Sequence, residues 1–489
     1  MDTNEERHMA EDNKPVHHPD YPERLLEFMR RGWRDSPLPG LTTLDHAARH
    51  AERRARLSQA FPGETLVIPT GGEKVRNNDC FYPFRPGSDF LWLTGEHDPD
   101  AVLVMRPHGG GHDAVLYTRP RSSKDSDEFF RDPQYGELWI GRRLSLAEKS
   151  TLLGIETADL AELEKALADL DRSTTRVLRG YDSAVDRTLA TEESLERDKE
   201  LAAVLSELRL VKDEWEIAQL QDAIDATVRG FEDVTRALPS DRGVSERLLE
   251  GIFGLRARHD GNAVGYGSIV AAGPHATTLH WVRNDGVTRP GELILMDMGV
   301  ENQHCYTADV TRTLPVNGTF SPLQREVYQI VLASQQAGID AIRPGVAFKE
   351  VHRICMTVLA EGLEALGVLP CSAEEALDRD SQIYRRWSLH GFGHMLGLDV
   401  HDCARARKEH YRDGVLKEGY VLTVEPGLYF QLDDELVPSE LRGIGIRIED
   451  DVLVTPDGAV VLSAALPRAP EAVEAWMAQQ RAAGFRLPG

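Results

Sequence analysis

Five residues in the second half of this sequence, Asp297, Asp309, His394, Glu425 and Glu449, have types and settings that suit the binding of hard metal ions. In Gly291-Glu-Leu-Ile-Leu-Met-Asp-Met-Gly the residues alternate as in a strand, which sets Leu293, Leu295 and Asp297 on one face. A carboxylate among apolar neighbours is strongly disfavoured or takes up a proton unless a cation faces it. A second strand, Tyr306 to Leu314, carries Asp309, and an antiparallel hairpin would bring the two aspartates close together. Bare carboxylates there would repel, and a bound metal removes the conflict. The plain alternative is a core-facing aspartate satisfied by backbone or by Arg312, with the other on the surface.

Three histidines follow in His390-Gly-Phe-Gly-His394-Met-Leu-Gly-Leu-Asp-Val-His401, among glycines that disfavour a continuous helix. The helical H-E-x-x-H zinc motif is thereby excluded, and a backbone able to wrap a site is expected. Val421-Leu-Thr-Val-Glu425-Pro-Gly reads as an apolar strand delivering a carboxylate at a turn. In Gly443-Ile-Gly-Ile-Arg447-Ile-Glu449 the alternation puts Arg447 and Glu449 on one face and the isoleucines on the other, a pattern that a structural Arg–Glu pair would also explain. Taken together, four carboxylates and one imidazole balance the charge of two divalent cations. They favour manganese, then cobalt or magnesium, with zinc admitted as less suited to so oxygen-rich a set.

Such residues need a scaffold, and the length of 489 residues predicts more than one domain. Residues 1–40 are polar and read as an extension; its His17-His18 pair is read as solvated. From 41 to 208 strands and helices alternate as in an α/β domain, with strands expected at Thr65–Pro69, Phe90–Thr94, Ala101–Met105 and Ala114–Tyr117. A long amphipathic helix opens the third segment, 209–489, which continues through strands from Gly265, a helical block from Pro322 to Leu366, strands between Tyr420 and Leu462, and a last helix near Pro470–Ala483. The formal charge of −24 argues against nucleic-acid and anionic-membrane partners. No secretory apolar core and no run of about 18 apolar residues is visible. The five scattered cysteines without C-x-x-C spacing fit buried thiols in a reducing cytoplasm.

The order of motifs resembles the pita-bread metallopeptidases, which include methionine aminopeptidase, prolidase and Xaa-Pro aminopeptidase. The resemblance rests on Thr278-Leu-His280, Leu295-Met-Asp297-Met-Gly, Asp309-Val-Thr-Arg-Thr, His390-Gly-Phe-Gly-His394, Thr423-Val-Glu425-Pro-Gly and Gly445-Ile-Arg447-Ile-Glu449-Asp. Tyr82-Pro-Phe-Arg-Pro-Gly-Ser-Asp-Phe and Trp139-Ile-Gly-Arg-Arg in the first domain point to the Xaa-Pro aminopeptidase branch. The resemblance implies an α/β N-terminal domain followed by an α+β pita-bread catalytic domain, and release of one residue from peptides with proline second.

By the same resemblance Asp297 would bind one metal, Asp309 and Glu449 would bridge two, and His394 with Glu425 would complete the second site. A hydroxide between the metals would attack the peptide, and Glu425 would carry the proton. His280, His390 and His401 would line the substrate site, with His401 or His280 hydrogen-bonding the carbonyl or the tetrahedral intermediate and Arg447 orienting that shell. Tyr429 is expected either near the proline pocket or in the core. Asp79 and Trp139 are expected to reach a neighbouring subunit of a dimer or tetramer, with buried packing the alternative for Trp139. The rival readings are a prolidase acting on Xaa-Pro dipeptides and a noncatalytic pita-bread binding protein. The second, like creatinase-type hydrolysis without metal, sits poorly with five filled ligand positions.

Overall fold

The computed structural model describes residues 21–488, so the His17-His18 pair lies outside the described residues. The chain divides after Leu205 into two compact units.

The first unit is built on a five-stranded mixed sheet ordered Glu156–Asp159, Gly111–Thr118, Val102–His108, Thr65–Pro69, Thr175–Val177. Its central strands are apolar runs without alternation, as expected where both faces are covered. Ahead of the sheet, the helix Glu23–Met29 buries Leu26 against Phe129 and Phe130, and Trp33 meets Phe129 edge-on at 5.0 Å. The expected strand at Phe90–Thr94 is instead the end of a helix, Ser88–Thr94, whose seven residues are all buried. A short apolar run reads the same in a buried strand or a buried helix. What separates them here is Gly95, whose left-handed backbone (φ 70°) closes the helix by returning its N–H to the Leu91 carbonyl.

The second unit opens with the helix Glu214–Ala237, started by a capping box between Asp213 and Glu216, and pairs it with Glu246–Asp260. A second helix pair, Pro322–Ala341 and Phe348–Ala365, begins with the same device at Ser321 and Gln324. Against these lie two three-stranded antiparallel sheets. One is ordered Val310–Pro315, Leu293–Met298, Ile269–Ala272, and the other Val421–Val424, Asp450–Thr455, Gly458–Val461. A two-stranded ribbon, Gly427–Tyr429 with Gly445–Arg447, completes the arrangement, and Pro470–Ala483 is the last helix. Ile294, Met296 and Met298 enter the main core with Phe231, Phe253, Val331, Leu359, Leu422, Ile446 and Val452. Leu295 faces the other way, into a small cluster with Trp281 and Tyr429. Asp297 shares the strand face of Leu295 and is delivered into a polar site.

Cys305, Cys355 and Cys403 are buried, whereas Cys371 is half-buried and Cys80 is exposed, against the expectation for both: Cys80 sits in a short hairpin, Val75–Asn77 with Cys80–Phe81, none of whose strand residues is buried. Among the described residues no helix is long and apolar enough to cross a membrane.

Candidate metal centre

The central hairpin sets Asp297 opposite Thr311, and Asp309, two residues before Thr311 and just ahead of the strand Val310–Pro315, comes close to Asp297 across the Tyr266 hydroxyl. Both carboxylates are almost fully buried, and the hydroxyl of Tyr266 lies 2.7 Å from Asp297 and 2.6 Å from Asp309. Arg312 does not satisfy either of them. Its guanidinium donates to Asp450 (2.7 Å) and to the backbone carbonyls of Thr311, Glu449, Leu466 and Pro467. The alternative of a core aspartate paired to Arg312 is therefore not what is seen.

His394 arrives on the glycine-rich segment, which lies along the strand Val421–Val424. The Thr423 N–H donates to the His394 carbonyl at 2.8 Å, and the Glu425 N–H donates to the Phe392 carbonyl at 2.7 Å. This pairing brings His394 Nε2 within 3.6 Å of Glu425 and 3.3 Å of Asp309. His394 Nδ1 lies 3.1 Å from the Met395 carbonyl, and donating there leaves Nε2 as the atom that faces the carboxylates. Glu449 accepts the Thr311 hydroxyl at 2.6 Å. One ligand atom each from Asp309, His394 and Glu449 lie within 4.8 Å of one another, a spacing that can hold a metal ion.

The electrostatics of the chain alone fit the same group. Burial, assisted by the charges of Asp309 and Asp297, pushes Glu425 up to about 7. Burial and the charges of Asp309 and Glu425 push Glu449 well above the usual carboxylate range. Asp297 is raised by burial and by Asp309 in spite of Arg447. Burial opposes a charge on His394, but its hydrogen bond to Asp309 and the nearby carboxylates prevail and raise it to about 9. Raised carboxylates and a raised histidine in one buried cluster mark a place short of positive charge, which a divalent cation would supply.

Arg447 is not paired to Glu449. It donates to Asp297 (2.7 Å), to the Tyr429 hydroxyl (3.0 Å) and to Thr311 Oγ1 (3.1 Å). Tyr429 in turn lies 2.7 Å from His390 Nε2, while His390 Nδ1 lies 2.8 Å from the Gly391 carbonyl. Burial, reinforced by Arg447, pushes His390 down to about 3, so it is neutral and accepts the Tyr429 hydroxyl. The Tyr429 ring thus lies in the small apolar cluster, as the core alternative expects, while its hydroxyl meets Arg447 and His390. His401 is exposed and meets His394 ring to ring at 4.4 Å. His280 is exposed and close enough for its charge to bear on both His390 and His401.

Asp79 and Trp139 belong to the first unit. Asp79 is exposed in the turn of the Val75–Phe81 hairpin, and Trp139 is 53% exposed, its indole N–H donating to the Phe130 carbonyl. Buried packing for Trp139 is therefore corrected: the helix that carries it, Glu137–Ile140, buries no residue.

Four residues of the site carry no signal that was read in the sequence. Tyr266 sits in a turn-rich stretch, and Thr311 and Thr423 look like ordinary strand residues. Asp451, fully buried and accepting the Asp309 N–H at 3.1 Å, lies two residues after Glu449, where the strand alternation that sets Arg447 and Glu449 on one face continues by one step.

Fold and cluster together define a metal-dependent hydrolase. Residues 218–456 match metallopeptidase family M24, and residues 50–178 match the aminopeptidase P N-terminal domain. The chain is 54% identical over 461 residues to Xaa-Pro aminopeptidase 1 of Streptomyces coelicolor, covering 94% of this chain and 93% of that protein. It is 51% identical over 472 residues to Xaa-Pro aminopeptidase 2 of the same organism, covering 96% and 99%. A solved structure of Escherichia coli aminopeptidase P with the inhibitor Pro-Leu superimposes with a TM-score of 0.79 at 32% identity, covering 90% of this chain and all of that one. The chain belongs to the aminopeptidase P branch of metallopeptidase family M24, and is a metal-dependent aminopeptidase with a pita-bread catalytic domain.

Proposed function

We propose that the substrates are peptides with proline in second position, that the enzyme releases their first residue, and that it uses two divalent ions, manganese foremost. The observation that supports this reading is the grouping of Asp309, His394 and Glu449 within metal-holding distance, with Asp297 sharing the Tyr266 hydroxyl with Asp309 and Glu425 lying 3.6 Å from His394. Asp297 would hold one ion, Asp309 and Glu449 both, and His394 with Glu425 the other. When bound, such ions acidify a water to a nucleophile at neutral pH and polarise the scissile carbonyl.

The chain's own residues supply the rest. Glu425 would take the proton of the attacking water and pass it to the proline nitrogen as the peptide bond breaks. Arg447 holds Asp297 and Tyr429 in place, and Tyr429 donates to His390, which burial and Arg447 keep neutral. His280 and His401 border the substrate and can donate to its carbonyl as negative charge develops there. We further propose a homodimer or homotetramer in which Asp79 and Trp139 contact a neighbour, and residence in the cytoplasm without nucleic-acid partners.

The test is turnover of Ala-Pro and Ala-Pro-Ala by metal-stripped protein reconstituted with manganese, beside Asp309→Ala. Manganese-dependent release of alanine from the tripeptide, absent in the variant, is the expected result. Cleavage of the dipeptide alone would make the enzyme a prolidase, and failure to bind metal would sink the mechanism.

A further inference from the structure

The segment that carries His280 is organised by a buried carboxylate outside the metal centre. Glu246, the first residue of the helix Glu246–Asp260, is completely buried and turns away from its helix into residues 272–286. Its Oε1 accepts the Ala272 N–H at 2.8 Å and lies 2.9 Å from His275 Nδ1. Its Oε2 accepts the Trp281 indole N–H at 2.9 Å and the Gly286 N–H at 2.7 Å. One side chain therefore collects four partners from both ends and the middle of a single loop. The His275 ring stacks on Trp281 at 3.8 Å, and Arg283 lies over the same indole at 4.2 Å. Asn284, also fully buried, adds a second tie by accepting the Val270 N–H and donating to the Ser268 carbonyl, both at 2.9 Å.

What these ties hold is Trp281, and Trp281 packs with Leu295 and Tyr429, the residues beside Asp297 and His390. His280 immediately precedes it and is exposed at the open side of the loop. We propose that Glu246 is the positioning residue for the substrate peptide's contact with His280: it fixes the indole, and through the indole the backbone that presents the imidazole. The proposal rests on His280 bordering the substrate, as set out under the proposed function.

Charge and shape are both required of Glu246. At Oε2 both partners are obligate donors, and at Oε1 the Ala272 N–H is another, so a glutamine nitrogen on either side meets an N–H head on. The loop would shift, and displacements of about 1 Å can cost up to about a hundredfold in rate.

The experiment is a double-mutant cycle on kcat/KM for Ala-Pro-Ala in the manganese enzyme, with bound manganese measured for each variant. Glu246→Gln should lower kcat/KM roughly tenfold or more with manganese content unchanged. In the His280→Ala background the same substitution should change it by less than about twofold, because the group being positioned is gone. Equal losses in both backgrounds, or a loss that follows manganese content, would mean general destabilisation and overturn the proposal. If His280→Ala alone left turnover intact, the reading of His280 would fall and this proposal with it. If His280→Ala impaired turnover and Glu246→Gln did not, the proposal alone would fall. Should Glu246→Gln not fold, Trp281→Phe takes its place in the cycle, since it removes one of the four donors to Glu246 and keeps a ring: a loss seen only where His280 is present supports the proposal, and equal losses in both backgrounds overturn it. Wild-type cleavage of the tripeptide is the control that separates these outcomes from failure of the proline specificity.

Discussion

Arg447 balances the buried charge of the site. Its side chain is 4% exposed and its guanidinium forks across Asp297, Tyr429 and Thr311, a geometry that a point-charge ammonium does not reproduce. Arg447→Leu would leave the Asp297 carboxylate buried without its cation, and should destabilise the metal-free second unit by about 3–5 kcal/mol in urea unfolding. Adding manganese should recover part of that loss, since a bound ion gives Asp297 another positive partner. An equal loss with and without metal would contradict this account. At this scale the strand alternation already set Arg447 and Glu449 on one face. It did not show that Arg447 would pair with an aspartate 150 positions away, because the partner of a buried charge is chosen by tertiary approach.

The element that matters most is the glycine-rich segment 390–401 where it runs beside the strand Val421–Val424. Backbone pairing there, extended by a bridge between Met395 and Leu422, brings His394 and Glu425 together. It depends on Gly393, because a Cβ at that position would collide with the Thr423 carbonyl oxygen. Gly393→Ala should therefore force the two segments apart and lower manganese affinity roughly tenfold to a hundredfold, measured by competition with a chelating dye. Unchanged affinity would mean the segment can give way without moving His394. The glycines showed in the sequence that this stretch is not a helix. Which strand it would lie against was not legible, and Phe90–Thr94 shows the same limit, since a short apolar run fits a buried helix as well as a strand.

For the whole molecule, acid should act first on a buried histidine of the first unit. In the first unit, burial pushes His50 down to about 3. The unfolded chain then takes up a proton below about pH 6.5 that the folded unit refuses. Stability from this source is full above that pH and is lost as pH falls toward 3, by about 3 kcal/mol at pH 4. His50→Gln cannot be protonated, so its melting temperature should fall less than wild type between pH 7 and pH 4 in calorimetry. Parallel declines would show that His50 is not the acid-sensitive group. Association is tested at Trp139: light scattering should give wild type a multiple of the 54.5 kDa chain mass and Trp139→Glu a smaller one. A wild type of single-chain mass would remove the proposed subunit contact.

The sequence by itself determined the kind of chemistry, because ligand types, their alternation along strands and the glycines around His394 are local properties of the chain. It likewise determined that an acidic, cysteine-poor protein would fold around apolar strands, a long amphipathic helix and a later helical block. Only the tertiary structure decided which groups share a buried volume: Tyr266 between Asp297 and Asp309, Arg447 on Asp297, Asp451 behind Asp309, and Glu246 beneath the His280 loop. The physical reason is that a buried polar group must find its partner wherever the packed chain brings one, and that distance is not written in the local pattern.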